Sequence, residues 1–248
     1  GLEHNINVEV DIERATLPLI NHDLFVAPWG SDSNSGLSPE SPLKSIDFAT
    51  KIIASDSLNP KTVFLAEGTY SRSLNQQNFP ASVKRDTILK GAGMFLTVLD
   101  AENVSSAVGA ILRCGTISIS NLHITRQGRN INNLTVQGFG CVADSIYLEN
   151  LYFTDNQLNG YNGFSFSAKE YAYVKNTIVK NTLSNCRALS YGISKSKSVI
   201  LENITEDKAR SIFISDGQSG IKFWRNYNIL LNNARFSNGI TSEPIIFQ

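Results

Sequence analysis

Several residues in this chain suit the handling of sugars. Tyr147, Tyr152 and Tyr173 lie downstream of His123, and aromatic faces stack on the apolar faces of sugar rings. Their structural use would be cross-strand ring packing, or burial under a loop. Segment 156–163 is placed to lean over them and make a groove. Glu149, Lys175 and Glu202 alternate in sign at spacings of 26 and 27. Such a strip is either a surface ion-pair ladder, worth little per pair, or a charged track for a sugar acid.

Other chemistry finds less support. A glycosidase needs two carboxylates at a set separation. Asp144 with Glu149 and Asp155, or Glu206 with Asp207, are the nearest candidates, and nothing in their spacing singles them out. His4, His22 and His123 are too scattered for a metal site or a triad. Asp32 sits in Gly30-Ser-Asp-Ser-Asn-Ser-Gly36, which lacks the spaced carboxylates and terminal Glu of a calcium loop. A hydrogen-bonded turn is expected there, with no metal site and no cofactor; calcium is the only ion that any segment suggests. Gly91-Ala-Gly93 is too short for a phosphate loop and reads as a corner. Cys114, Cys141 and Cys186 show no metal spacing. Cys114 and Cys141 are 27 residues apart, which allows stacked buried thiols or a disulfide.

The elements that must position these residues emerge from a repeat. Ile117-Ser-Ile-Ser-Asn121, Ile146-Tyr-Leu-Glu-Asn150, Ala172-Tyr-Val-Lys-Asn176, Val199-Ile-Leu-Glu-Asn203 and Ile229-Leu-Leu-Asn-Asn233 align, with Asn spacings of 29, 26, 27 and 30. Thr87-Ile-Leu-Lys-Gly91-Ala-Gly-Met fits the same frame with Gly for Asn. Each segment alternates with period two, as strands do. The Asn breaks the alternation where the chain bends, since Asn tolerates the left-handed conformation. Stacked coils would set these amides about 4.8 Å apart, close enough to bond one another. The frame predicts outward columns of Ser118, Tyr147, Tyr173, Ile200, Leu230; of Ser120, Glu149, Lys175, Glu202, Asn232; and of His123, Tyr152, Ile178, Thr205, Arg235. Further short strands are expected at 110–113, 134–137, 163–166, 188–191, 211–214 and 244–247. The period predicts an all-β, parallel β-helix of about six to seven coils.

The front differs. Leu24-Phe-Val-Ala reads as a strand, and Ser41 before Pro42 as a helix N-cap. Leu43, Ile46, Phe48, Ala49, Ile52 and Ile53 make a helical stripe over 43–54. That helix is expected to cover the exposed end of the solenoid. Residues 1–22 read as a lead-in or the tail of a preceding domain. Residues 23–248 read as one domain, with a cap over about 23–60 and coils over about 61–248. The uncapped end at Ile245-Ile-Phe-Gln248 predicts continuation or cover.

Composition agrees with a globular chain: 42% hydrophobic and 18% charged residues over 248 positions, with Lys plus Arg equal to Asp plus Glu at 22. That balance gives no electrostatic case for nucleic acid. No apolar run reaches the length of a membrane span.

Leu24-Phe-Val-Ala-Pro-Trp-Gly-Ser-Asp-Ser-Asn-Ser-Gly36, Ser41-Pro-Leu-Lys-Ser-Ile46 and Val63-Phe-Leu-Ala-Glu-Gly-Thr-Tyr70 together resemble the opening of pectate-lyase-like right-handed β-helix proteins, many of which carry a domain of unknown function there. The resemblance covers roughly residues 23–100 by motif and the rest by coil pattern. It implies a right-handed helix with a strand and helix cap. It also implies one of two roles in a secreted or cell-surface bacterial protein. One is a structural or carbohydrate-binding module, with other domains of a longer chain as partners. The other is a polysaccharide lyase acting on an acidic polysaccharide, with a Lys or Arg base. Lys175 and Arg187, then Lys180 and Arg210, are the bases on offer. Tyr147, Tyr152, Tyr173, His123 and Glu149 are the expected substrate contacts.

Overall fold

A computed structural model describes residues 18–103, 108–111, 115–127, 139–154, 162–180, 187–191, 198–207, 212–214, 229–232 and 235–236. In chain order the elements are β1 (Leu24–Val26), α1 (Ile46–Ile52), β2 (Lys61–Leu65), β3 (Gly68–Ser71), α2 (Arg72–Asn75), β4 (Ala81–Ser82), β5 (Thr87–Gly91), β6 (Thr97–Asp100), β7 (Val108–Ile111), β8 (Thr116–Thr125), β9 (Phe139–Thr154), β10 (Asn162–Lys180), β11 (Arg187–Tyr191), β12 (Ser198–Asp207), β13 (Ile212–Ile214), β14 (Ile229–Asn232) and β15 (Arg235–Phe236). The protein is thus mostly strand, with few helices, and its strand pairings are parallel.

The pairings fall into three rows. The first runs β1, β2, β5, the start of β8, then the middle segments of β9 and β10, then β12 and β14. The second runs β3, β6, the end of β8, and the ends of β9, β10 and β12, finishing on β15. The third joins β4, β7, the starts of β9 and β10, β11 and β13. From β2 onward the chain visits first, second and third rows in that order, repeatedly. Parallel neighbours need such a long return path between them.

The core lies behind the first two rows. Leu24, Val63, Leu89, Ile119, Leu148 and Val174 are successive partners in the first row and all are buried. Tyr70, Leu99, Ile124 and Phe153 form the matching buried column in the second. Each such side chain contributes about 1.5–3 kcal/mol of hydrophobic stabilisation. Tyr70 keeps its hydroxyl satisfied by sharing its single proton between Val26 O at 3.0 Å and Ala66 O at 3.2 Å.

The bend between the first and second rows is made by asparagine. Asn121, Asn150, Asn176 and Asn203 have φ of 60°, 53°, 48° and 52°, the left-handed region that Asn tolerates best after Gly. Their amides bond in sequence: Asn150 Nδ2 donates to Asn121 Oδ1 at 2.9 Å, Asn176 to Asn150 at 3.0 Å, and Asn203 to Asn176 at 2.8 Å. Asn233 lies outside the described residues. Gly91 takes the Asn place one coil earlier because a Cβ there would meet Asn121 O at 2.1 Å.

The front departs from expectation at the helix. It begins at Ile46, not Leu43, and its N-cap is Ser45, whose hydroxyl accepts from Phe48 N at 3.1 Å. Leu43 instead lies beside β1: Leu43 N donates to Phe25 O, Ala27 N to Leu43 O, and Phe25 N to Gly36 O. The edge of β1, which would otherwise offer free backbone groups, is therefore covered by the returning 36–43 segment. Asp32 Oδ1 fixes that return by accepting from Lys44 N at 3.0 Å and Ser45 N at 2.8 Å. Buried Gln77 bonds Lys44 O and Ile46 N, and Lys84 Nζ closes the far end by donating to Lys51 O and Ile53 O. The apolar side of α1 (Ile46, Ala49, Ile52) joins the core.

One strand expectation shifts. Ala92-Gly-Met94 do not continue β5, which ends at Gly91; the next strand starts at Thr97. The third-row strand of the following coil includes 139–142 at the start of β9, whereas 134–137 lie outside the described residues, as do residues 1–17, Arg210 and 244–247.

Candidate functional site

The expected columns form as runs of strand partners. Ser118, Tyr147, Tyr173, Ile200 and Leu230 are successive partners, and so are Ser120, Glu149, Lys175, Glu202 and Asn232. The second column reaches back through Lys90 and Phe64 to Phe25. Phe25 and Phe64 stack at 5.2 Å. His123, Tyr152, Ile178, Thr205 and Arg235 make the third column, in the second row.

The expected single aromatic cluster is in fact divided. Tyr147 and Tyr173 stand before the asparagine row, while Tyr152 and His123 stand after it. The left-handed residue between Glu149 and Leu151 turns the chain, so nearness in sequence does not put these rings on one platform.

On the first side, Tyr147 is 43% exposed. Tyr173 OH donates to Glu202 Oε2 at 3.5 Å, and Lys175 Nζ lies 3.9 Å from Glu202 Oε1. The Glu202 carboxylate, then Tyr173, and more weakly Glu149, hold the Lys175 ammonium above the usual lysine value. A general base at neutral pH needs the reverse shift. Arg187 opens β11 in the third row and Lys175 lies in the first, so the two weak catalytic candidates belong to different faces.

On the second side, Tyr152 packs tilted on His123, with centroids 4.6 Å apart, and edge-on to Phe95 at 5.3 Å and 67°. Lys180 Nζ stands 5.9 Å from the Tyr152 centroid, within cation–π range. Thr154 Oγ1 lies 2.7 Å from His123 Nε2 and 3.0 Å from Thr125 Oγ1, and Thr125 Oγ1 donates to Thr154 O. Phe95 is the ring that the repeat did not reveal. Its signal was the seven-residue step from Gly91 to Val98 where Asn121 to His123 takes two.

Asp144, one of the carboxylates considered for hydrolysis, has other work. Asp144 Oδ2 accepts from Gly115 N at 2.9 Å, much as Asp86 accepts from Thr116 N and Asp23 from Thr62 N. These side chains bond backbone at the entry to first-row strands in neighbouring coils. Among the described residues no group of three or more His, Cys, Asp or Glu is placed to hold a metal ion. No helix among them is long and apolar enough to cross a membrane. Residues 156–161 of the 156–163 segment expected to lean over the tyrosines, Asp155 and Cys114 lie outside the described residues. No protein-family model matches the chain, and no curated protein or solved structure matches it.

Proposed function

We propose that this chain is a right-handed parallel β-helix serving as a carbohydrate-binding module of a secreted or cell-surface protein. The cyclic order of the three rows and the amide row at one corner support the helix. The resemblance of residues 23–100 to pectate-lyase-like proteins supports the right-handed sense, which parallel crossovers follow almost without exception. The rigid stack holds tyrosines outward in successive coils, Tyr147 beside Tyr173 and Tyr152 one turn of backbone away, which is the feature that carries the glycan reading. Rings fixed on strands lose little freedom on binding.

A lyase is the second reading, resting on the same resemblance. The state of Lys175, protonated and engaged by Glu202, argues for binding over proton abstraction. One experiment separates the two. The protein is incubated with acidic and neutral polysaccharides while retention on each polymer and ultraviolet absorbance of unsaturated product are recorded. Retention without absorbance is expected. Robust absorbance lost in Lys175→Ala would establish the lyase, and neither signal across the panel would end the glycan reading.

A further inference from the structure

The step from first to second row takes an unusual course after β5. Where Asn121 turns directly into Leu122 and His123, residues 92–96 leave the surface and return at Thr97. The excursion is anchored: Ala92 N donates to Thr97 Oγ1, Leu96 N and Thr97 N to Gly93 O, and Gly68 N to Leu96 O. Its tip holds Phe95, which is 66% exposed. The strand partner of Val98 is His123, and that of His123 is Tyr152, so Phe95 reaches across the intervening coil to meet Tyr152.

The result is an inside corner. Phe95 and Tyr152 meet at 67°, His123 lies along Tyr152 from the same β8 side, and exposed Lys180 brings an ammonium to the Tyr152 ring. The tethered loop thus presents an apolar ring about two-thirds in water directly beside the Tyr152 ring and the Lys180 ammonium. Two rings at an angle offer a face and an edge to one pyranose, and the ammonium complements an acidic substituent on it.

On the glycan reading above, we propose that Phe95, Tyr152 and Lys180 form a subsite for a single anionic sugar ring, separate from the Tyr147–Tyr173 strip. Sulfate and carboxylate share the chemistry that Lys180 recognises.

The test measures binding of neutral, carboxymethylated and sulfated forms of dextran and of cellulose oligomers. The chains compared are the wild type, Phe95→Ala, Lys180→Gln, and Lys44→Gln, which removes a positive charge at the start of α1. Thermal melting checks that each variant folds. The expected result is binding of the charged forms, with the carboxymethyl and sulfate arms showing which acid is favoured. Phe95→Ala and Lys180→Gln should each weaken it about tenfold, the loss of one ring or cation contact, while Lys44→Gln binds as wild type. Binding of charged forms undiminished by Phe95→Ala and Lys180→Gln, or equal binding of neutral forms, overturns the subsite and leaves the glycan reading standing. If the wild type binds none of these and nothing in the wider polysaccharide panel, both fall.

Discussion

Asn176 donates its side-chain amide to Asn150 Oδ1 across 3.0 Å and accepts from Asn203 at 2.8 Å, while its own backbone sits at φ 48°. One residue thereby joins three coils and makes a bend that a residue with a larger or branched side chain makes at a cost. Replacing it by Ala strands a donor on Asn203 and an acceptor on Asn150 and keeps the strained backbone. We expect a loss of roughly 2–3 kcal/mol in denaturant unfolding. Asn176→Gly relieves the backbone alone and should cost less than Asn176→Ala; equal or greater cost would refute the split between bend and amide.

The row of amides ends at Gly91 for a steric reason. A Cβ there would lie 2.1 Å from Asn121 O and 2.7 Å from Leu122 Cδ2. Gly91→Asn should therefore destabilise, by about 1–3 kcal/mol as overpacking does, and not add a rung. A raised unfolding midpoint in Gly91→Asn would contradict this.

Burial pushes the Tyr70 phenol far above its ordinary value. The unfolded chain then ionises first, so the contribution to stability is intact below about pH 10 and is lost as pH rises beyond it. Unfolding midpoints measured from about pH 9 to 11.5 should fall more steeply for wild type than for Tyr70→Phe. Parallel slopes would mean that Tyr70 ionises in the folded state. At neutral pH the substitution should cost only about 1 kcal/mol. Val26 O still accepts from Ala66 N, and Ala66 O from Thr97 Oγ1.

Lys175 owes its raised pKa first to Glu202. In Glu202→Gln its titration, followed by NMR of the ε-methylene, should move down toward the ordinary lysine value. High salt should move the wild type the same way, since the pair is partly exposed. An unchanged titration in Glu202→Gln would show that Tyr173 and Glu149 govern the site.

Much of this arrangement was legible in the sequence because two local rules act together. Strict alternation sends Ile119 in and Ser120 out, and Asn121 resets the phase so that Leu122 is in and His123 out. The outward columns follow residue by residue. The helix starts later than the sequence predicts, because Ser41-Pro42 satisfies the local capping rule as well as Ser45 does. What decides against it is Asp32 gripping Lys44 N and Ser45 N, together with Leu43 completing the edge of β1. Those contacts join distant parts of the chain and carry no periodic mark. Phe95 carries no periodic mark either: it sits in an insertion between repeats, and its contact Tyr152 is two strand partners on from Val98. The repeat frame gathers Tyr147, Tyr152 and Tyr173 from its outward columns into one cluster, whereas the asparagine bend sets Tyr152 in the second row and the other two in the first.

Parallel strands paired in register are the basis of every assignment above, and inter-residue distances along one column of strand partners test them most directly. Lys90, Lys175, Glu202 and Asn232 belong to a single run of strand partners. With genetically encoded spin labels at Lys90 and, in turn, at Lys175, Glu202 and Asn232, pulsed electron resonance should give narrow distributions. Their backbone separations should be about 14, 19 and 24 Å, rising by one strand spacing per coil. Broad distributions, or separations that do not increase in that order, would contradict the stack.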